Sequence, residues 1–190
     1  MNQLLTLPNI LTGFRFALIP VLIVLFSVEQ TTSIALWTFW IFVIAALTDL
    51  ADGYAARKMA SETVLGKLMD PLADKVLVTT AMVMLIPLDR VPAWLCLLII
   101  CREIVITGLR GLAASAGKVV AADRIGKIKS NFQYFGLGFL IFPLNVLPIP
   151  YQYEFGLALL YVALITAIWS AAEYFYNLRT IFVETSQQDL

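Results

Sequence analysis

The sequence predicts an all-α integral membrane bundle of six transmembrane helices, both termini cytoplasmic, forming one domain over residues 1–190. Hydrophobic residues make up 61% of the chain and charged residues 14%, whereas soluble domains run about 45–50% apolar and about 25% charged. Six apolar runs come near the ~20 residues a helix needs to cross the hydrocarbon of a bilayer. Of the 13 Lys and Arg residues, only Arg90 falls on a loop of the outer side.

The first run, 11–28, follows NQLLTLPN, which reads as a short N-terminal interfacial helix ended by Pro8. Pro20 lies inside this run and should kink it. MNQLLTLPNILTGFR lacks the basic leader of a signal peptide, because Arg15 sits within the apolar stretch. The segment EQTTS breaks the chain before the second run, 34–56, and a connection of about eight residues leads to the third, 66–87. PLDRVP separates it from the fourth, 92–114, which holds both cysteines, Cys96 and Cys101. These lack metal-ligand spacing and read as helix-packing residues. The fifth and sixth runs, 127–146 and 153–177, are parted by PLNVLPIPYQYE. Each run must be helical, because an open strand cannot satisfy its backbone in lipid. With the N-terminus inside, the basic segments 57–66, 110–127 and 177–190 lie inside too, as the positive-inside rule requires.

Composition also excludes. Lys plus Arg and Asp plus Glu number 13 each, so a nucleic-acid partner has no electrostatic support. There is no histidine, which leaves carboxylates, Lys, Tyr and Cys for acid–base or metal chemistry.

Residues 49–74, DLADGYAARKMASETVLGKLMDPLAD, hold Asp49, Asp52, Asp70 and Asp74 at the cytoplasmic ends of the second and third helices. Carboxylates are costly in a membrane helix, and clustered ones repel, so a divalent cation is the natural compensation. Asp49 and Asp52 are spaced i,i+3, Asp70 and Asp74 i,i+4, so each pair shares a helical face. Two antiparallel neighbours bring the faces together in a pocket of hard oxygen ligands suited to Mg²⁺, Mn²⁺ or Ca²⁺, alongside substrate phosphates. Gly53, Ala56 and Gly66 would admit a base or diphosphate closely, and Arg57 would bind phosphate oxygens. The same small residues would also serve plain helix packing.

This stretch resembles the CDP-alcohol phosphotransferases, whose pattern D-x2-D-G-x2-A-R-x8-G-x3-D-x3-D is matched at all eight fixed positions, from Asp49 to Asp74. The resemblance implies that Asp49, Asp52 and Asp70 ligate a pair of Mg²⁺ or Mn²⁺ ions, with Asp74 near the metals and acting as general base. It implies transfer of a phosphatidyl group from CDP-diacylglycerol to an alcohol with release of CMP, in a bacterial inner membrane, by a homodimer among membrane lipids. Asn9, Thr12 and Arg15 belong to the family motif near the nucleotide, although Asn9 serves equally well as a helix cap.

Further stretches, PNILTGFR, PLADK, REIVITGLR and GKIKS, resemble the phosphatidylglycerophosphate synthases of that family, which use sn-glycerol 3-phosphate. Arg102 and Arg110 lie in the cytoplasmic half of the fourth helix, with Glu103, Thr107 and Arg110 at i, i+4, i+7, and Lys127 and Lys129 begin the fifth. Arg102, Arg110 and Lys127 are the expected ligands of the acceptor phosphate. Arg124, Lys129 and Arg179 read first as ordinary basic residues of cytoplasmic helix ends. Ser130 stands where Thr is common, and keeps a hydroxyl. Trp169, Tyr174 and Tyr176 read as an aromatic belt, and Gly136 and Gly138 as points of close helix contact, including contact with a second subunit. An inositol phosphate is the alternative acceptor. A membrane prenyltransferase would share diphosphate binding but not this spacing, and a cation transporter would need polar residues in the outer halves of the helices.

Overall fold

A computed structural model describes residues 7–59, 64–115, 124–144, 146 and 150–188, with residues 7–8, 49–59, 64–68, 70, 115, 124–128 and 177–188 described by backbone alone. It contains α1 (Leu7–Ser27), α2 (Thr32–Met59), α3 (Val64–Leu85), α4 (Ala93–Ser115), α5 (Arg124–Ile141) and α6 (Gln152–Gln188), and no strand among the described residues. All six expected helices are present. The second and third approach more closely in sequence than expected, with residues 60–63 between them.

Pro8 does not end a helix. It sits in the first turn of α1, where its missing N–H has no intrahelical acceptor to lose and its fixed φ suits the helix. Residues 1–6, the rest of the expected interfacial helix, lie outside the described residues. α1 continues through Pro20 to Ser27, and α3 through Pro71.

Each helix turns one stripe inward. On α1 the buried positions are Thr12, Arg15, Ile19, Leu22 and Phe26, and on α3 Ala73, Leu77, Val78, Ala81, Met82 and Leu85, the 3–4 spacing of a helical face. These stripes meet Phe42 of α2, Leu95 and Ile99 of α4, Leu137 and Leu140 of α5 and Leu160 of α6 in one core. α1 packs on α2 and α3, α5 lies along α6, and α4 leans on α6. The outer surface is also apolar, with Trp37, Leu97, Phe135 and Ile165 exposed. α1 over Asn9–Ser27 and α6 over Gln152–Tyr176 are long and apolar enough to cross a membrane, and α2 has a shorter apolar stretch, Thr32–Thr48. α3, α4 and α5 carry their charged residues within the helix, among them Asp74, Arg102 and Lys129.

Two expectations change here. Tyr174 is not part of a surface belt: it is buried with Ile106 and Ala113 of α4, whereas Trp169 and Tyr176 are exposed. Gly136 is spent within the chain, where an added Cβ would stand 3.0 Å from the Gly156 carbonyl oxygen and 3.1 Å from Leu160.

Helix ends are satisfied by side chains. Thr31 Oγ1 accepts from the Ile34 N–H at the start of α2 (3.4 Å). Gln30 Nε2 donates to the Leu25 (2.8 Å) and Val28 (3.0 Å) carbonyls at the end of α1. Arg90 donates to the Leu140 carbonyl and Gln152 to those of Phe139 (2.9 Å) and Phe142 (3.1 Å), closing the end of α5.

Candidate active site

Continuity of α2 through Asp49 and Asp52, and of α3 through Asp70 and Asp74, keeps both acidic pairs in helical register. α2 and α3 touch, and the four residues between them make them antiparallel neighbours. The side chains of Asp49, Asp52 and Asp70 lie outside the described residues, as do those of Gly53, Ala56, Arg57, Gly66 and Lys127. Among the described residues no three Asp, Glu, Cys or His gather to hold an ion.

Asp74 is described and half-buried. It lies on the wall of a cavity of about 30 Å³ between α3, α4 and α5, room for a water or two. The apolar wall comes from Val78, Ile99 and Ile100, and the polar wall from Asp74, Lys75, Thr79, Glu103, Lys129, Ser130, Gln133 and Tyr134. Tyr134 donates its hydroxyl proton to Asp74 Oδ1, and its ring leans on Phe42 of α2 at 6.0 Å.

Lys129 is 5% exposed and donates to Glu103 Oε1. The same oxygen accepts from Arg102 Nη1 at 2.9 Å. A buried ammonium needs such a partner, because its lost hydration costs several kcal/mol. Two cations share one carboxylate, which leaves the trio with one excess positive charge beside the cavity. Lys75 Nζ donates to Thr107 Oγ1 (2.5 Å), and Thr107 Oγ1 donates to the Glu103 carbonyl (2.6 Å).

Arg102 is directed elsewhere than expected. Its Nε donates to the Ala167 carbonyl (2.9 Å) and its Nη2 to Ser170 Oγ (3.0 Å), so the guanidinium ties α4 to α6 as well as to Glu103. It does not line the cavity, and Arg110, two turns further along α4, is exposed. Lys129, read from the sequence as an ordinary basic residue, is the buried one. Lys129, Gln133, Leu137 and Leu140 form the inward stripe of α5, so tracing that stripe back from the leucines would have found both Lys129 and Gln133.

On α1, Thr12 and Arg15 share the buried stripe, and Asn9 lies in its first turn. Arg15 Nε donates to the Ala45 carbonyl of α2 at 3.3 Å, one helical turn before Asp49. Thr48 Oγ1 donates to the same carbonyl at 2.7 Å. The arginine thus joins α1 to α2 where the acidic segment begins.

The family model described as CDP-alcohol phosphatidyltransferase matches residues 5–169. A Bacillus subtilis (strain 168) protein named CDP-diacylglycerol–glycerol-3-phosphate 3-phosphatidyltransferase is 39% identical, covering 89% of this chain and 93% of its own. Proteins of the same name from Rickettsia typhi and Salmonella choleraesuis are each 38% identical, covering 93% and 88% of this chain and 98% and 92% of theirs.

Proposed function

The chain belongs to the CDP-alcohol phosphatidyltransferase family, and on that premise we propose that it transfers the phosphatidyl group of CDP-diacylglycerol to sn-glycerol 3-phosphate, giving phosphatidylglycerophosphate and CMP. The observation that carries this reading is the match along nearly the whole chain to enzymes of that name. The cavity supports it chemically, because a carboxylate and a buried ammonium line one small space.

Asp74 takes the proton from the primary hydroxyl of the acceptor, the task open to a carboxylate in a chain without histidine. The acceptor phosphate meets the positive excess around Lys129 and Arg102, with Arg110 late in α4 and Lys127 early in α5. The cytidine diphosphate lies across the start of α1, the end of α2 and the start of α3, against Asn9, Thr12, Gly53, Ala56, Arg57 and Gly66. Two carboxylate pairs in register on adjacent helices fit hard divalent ions, so Asp49, Asp52, Asp70 and Asp74 would hold Mg²⁺ or Mn²⁺. Such ions, when bound, supply neutralisation of charge on the diphosphate and on departing CMP.

The bundle spans a bacterial inner membrane six times with both termini and the site on the cytoplasmic side, and assembles as a homodimer. The apolar outer surface and the basic residues of α2, α3, α4 and α5 support the span reading.

CMP release by purified protein, with CDP-diacylglycerol, Mg²⁺ or Mn²⁺ and one acceptor at a time, tests the reading. Release with glycerol 3-phosphate alone is the expected result. Release with inositol phosphate or a neutral alcohol would keep the aspartate chemistry and reject the acceptor. No release with any acceptor would reject the activity.

A further inference from the structure

We propose that Tyr134 is a positioning residue for Asp74, claiming one carboxylate oxygen so that the other is presented to the acceptor hydroxyl. The inference rests on the reading of Asp74 as the base.

The two residues are 60 positions apart, on α5 and α3, and the contact exists because both line the same cavity. An aspartate has two torsions, and the second is broad and two-fold, so its oxygens exchange places easily. A hydrogen bond to Oδ1 removes that freedom and fixes the direction of Oδ2, the oxygen then left for the metal ions and the reacting hydroxyl. The donor is itself held, because the Tyr134 ring leans at 41° on Phe42, which is 2% exposed on α2. One side chain of α5 therefore touches both of the helices that carry the four acids.

The identity of the donor matters. The cations of the cavity spend their hydrogen bonds elsewhere, Lys129 on Glu103 and Lys75 on Thr107, although Lys129 is near enough to feel the Asp74 charge. An ammonium on Asp74 would neutralise the base, whereas a neutral phenol orients it and leaves its charge available. In the transfer step the acceptor O–H bond breaks and its proton passes to Asp74 Oδ2. The acceptor oxygen's electron pair forms the new bond to phosphorus, and the phosphorus–oxygen bond to CMP breaks with its pair leaving on CMP.

Tyr134→Phe keeps the ring on Phe42 and deletes the donor. Partners that orient a reacting group typically matter 10- to 100-fold, so kcat should fall by about that factor. Both KM values should stay within about threefold, because the lost hydroxyl is spent on Asp74. Mn²⁺ binding to the protein without substrates should fall less than kcat, since Asp49, Asp52 and Asp70 are untouched, and the thermal midpoint should be unchanged. An unaltered kcat would overturn the proposal. So would a joint loss of kcat, Mn²⁺ binding and thermal stability, which would give Tyr134 a merely structural role. Asp74→Asn separates the two readings. If it is inactive while Tyr134→Phe is normal, the positioning role alone fails; if it is fully active, the base assignment itself fails.

Discussion

Lys129 illustrates how single residues in this bundle divide their work. Its ammonium is held by Glu103, which also accepts from Arg102, and Arg102 in turn grips Ala167 and Ser170 of α6. Removing one partner of a buried pair strands the other, at about 3–5 kcal/mol. Glu103→Gln should therefore destabilise the protein as well as slow it, read as a lower thermal midpoint in detergent. Lys129→Met leaves Glu103 with Arg102, so its main effect should fall on the acceptor. The KM for glycerol 3-phosphate should rise about tenfold or more, as for loss of a charge-assisted contact, with the donor KM little changed; equal changes in both would remove Lys129 from the acceptor's path. Asp74→Asn should lose about 10²–10⁴-fold in turnover, the usual range for a general base, while still binding CDP-diacylglycerol in a direct binding assay. The acidic register, and hence Asp74, was legible in the sequence. The partners of Arg102 and Lys129 were not, because a basic residue near a helix end looks the same whether it faces headgroups or a neighbouring helix.

At the scale of elements, the α5–α6 contact depends on small residues. A Cβ at Gly156 would come 2.9 Å from Leu140 Cγ and 3.1 Å from Phe139 Cβ, atoms close to the α5 backbone that cannot swing away. An alanine there gains about 1 kcal/mol in helix propensity but costs about 1–3 kcal/mol in overpacking. Gly156→Ala should therefore lower the thermal midpoint. Gly138 is the contrast: its nearest neighbour would be Phe39 at 3.9 Å, ordinary contact, so Gly138→Ala should be neutral or slightly stabilising in the same assay. Nothing in YFGLGF distinguishes Gly136 from Gly138, and only the rotation of α5 against α6 does. Arg90, in the connection between α3 and α4, has a similar explanation. It closes the carbonyl end of α5 through Leu140, where a cation also suits the helix dipole.

At the scale of the molecule, the distribution of basic residues and the length of α6 make a joint prediction. Its 37 residues extend about 55 Å at 1.5 Å per residue, well beyond a hydrocarbon core of about 30 Å, so its C-terminal end should project into the cytoplasm. Green fluorescent protein fused to the C-terminus should fluoresce, and alkaline phosphatase fused there should be inactive. Alkaline phosphatase inserted in residues 87–92 should be active. The opposite pattern would overturn the orientation.

By itself the sequence determined the helical class, the six segments, the register of the four acids and the family pattern that spans them. These are properties of composition and of spacing along one chain, and the 3.6-residue period carries them directly. Only the tertiary structure decided that Tyr134 meets Asp74, that Lys129 is buried on Glu103, that Arg102 turns to α6 and that Gly136 closes on Gly156. The reason is geometric. Successive side chains leave a helix about 100° apart, and which of those directions meets a given neighbour is set by how whole helices pack.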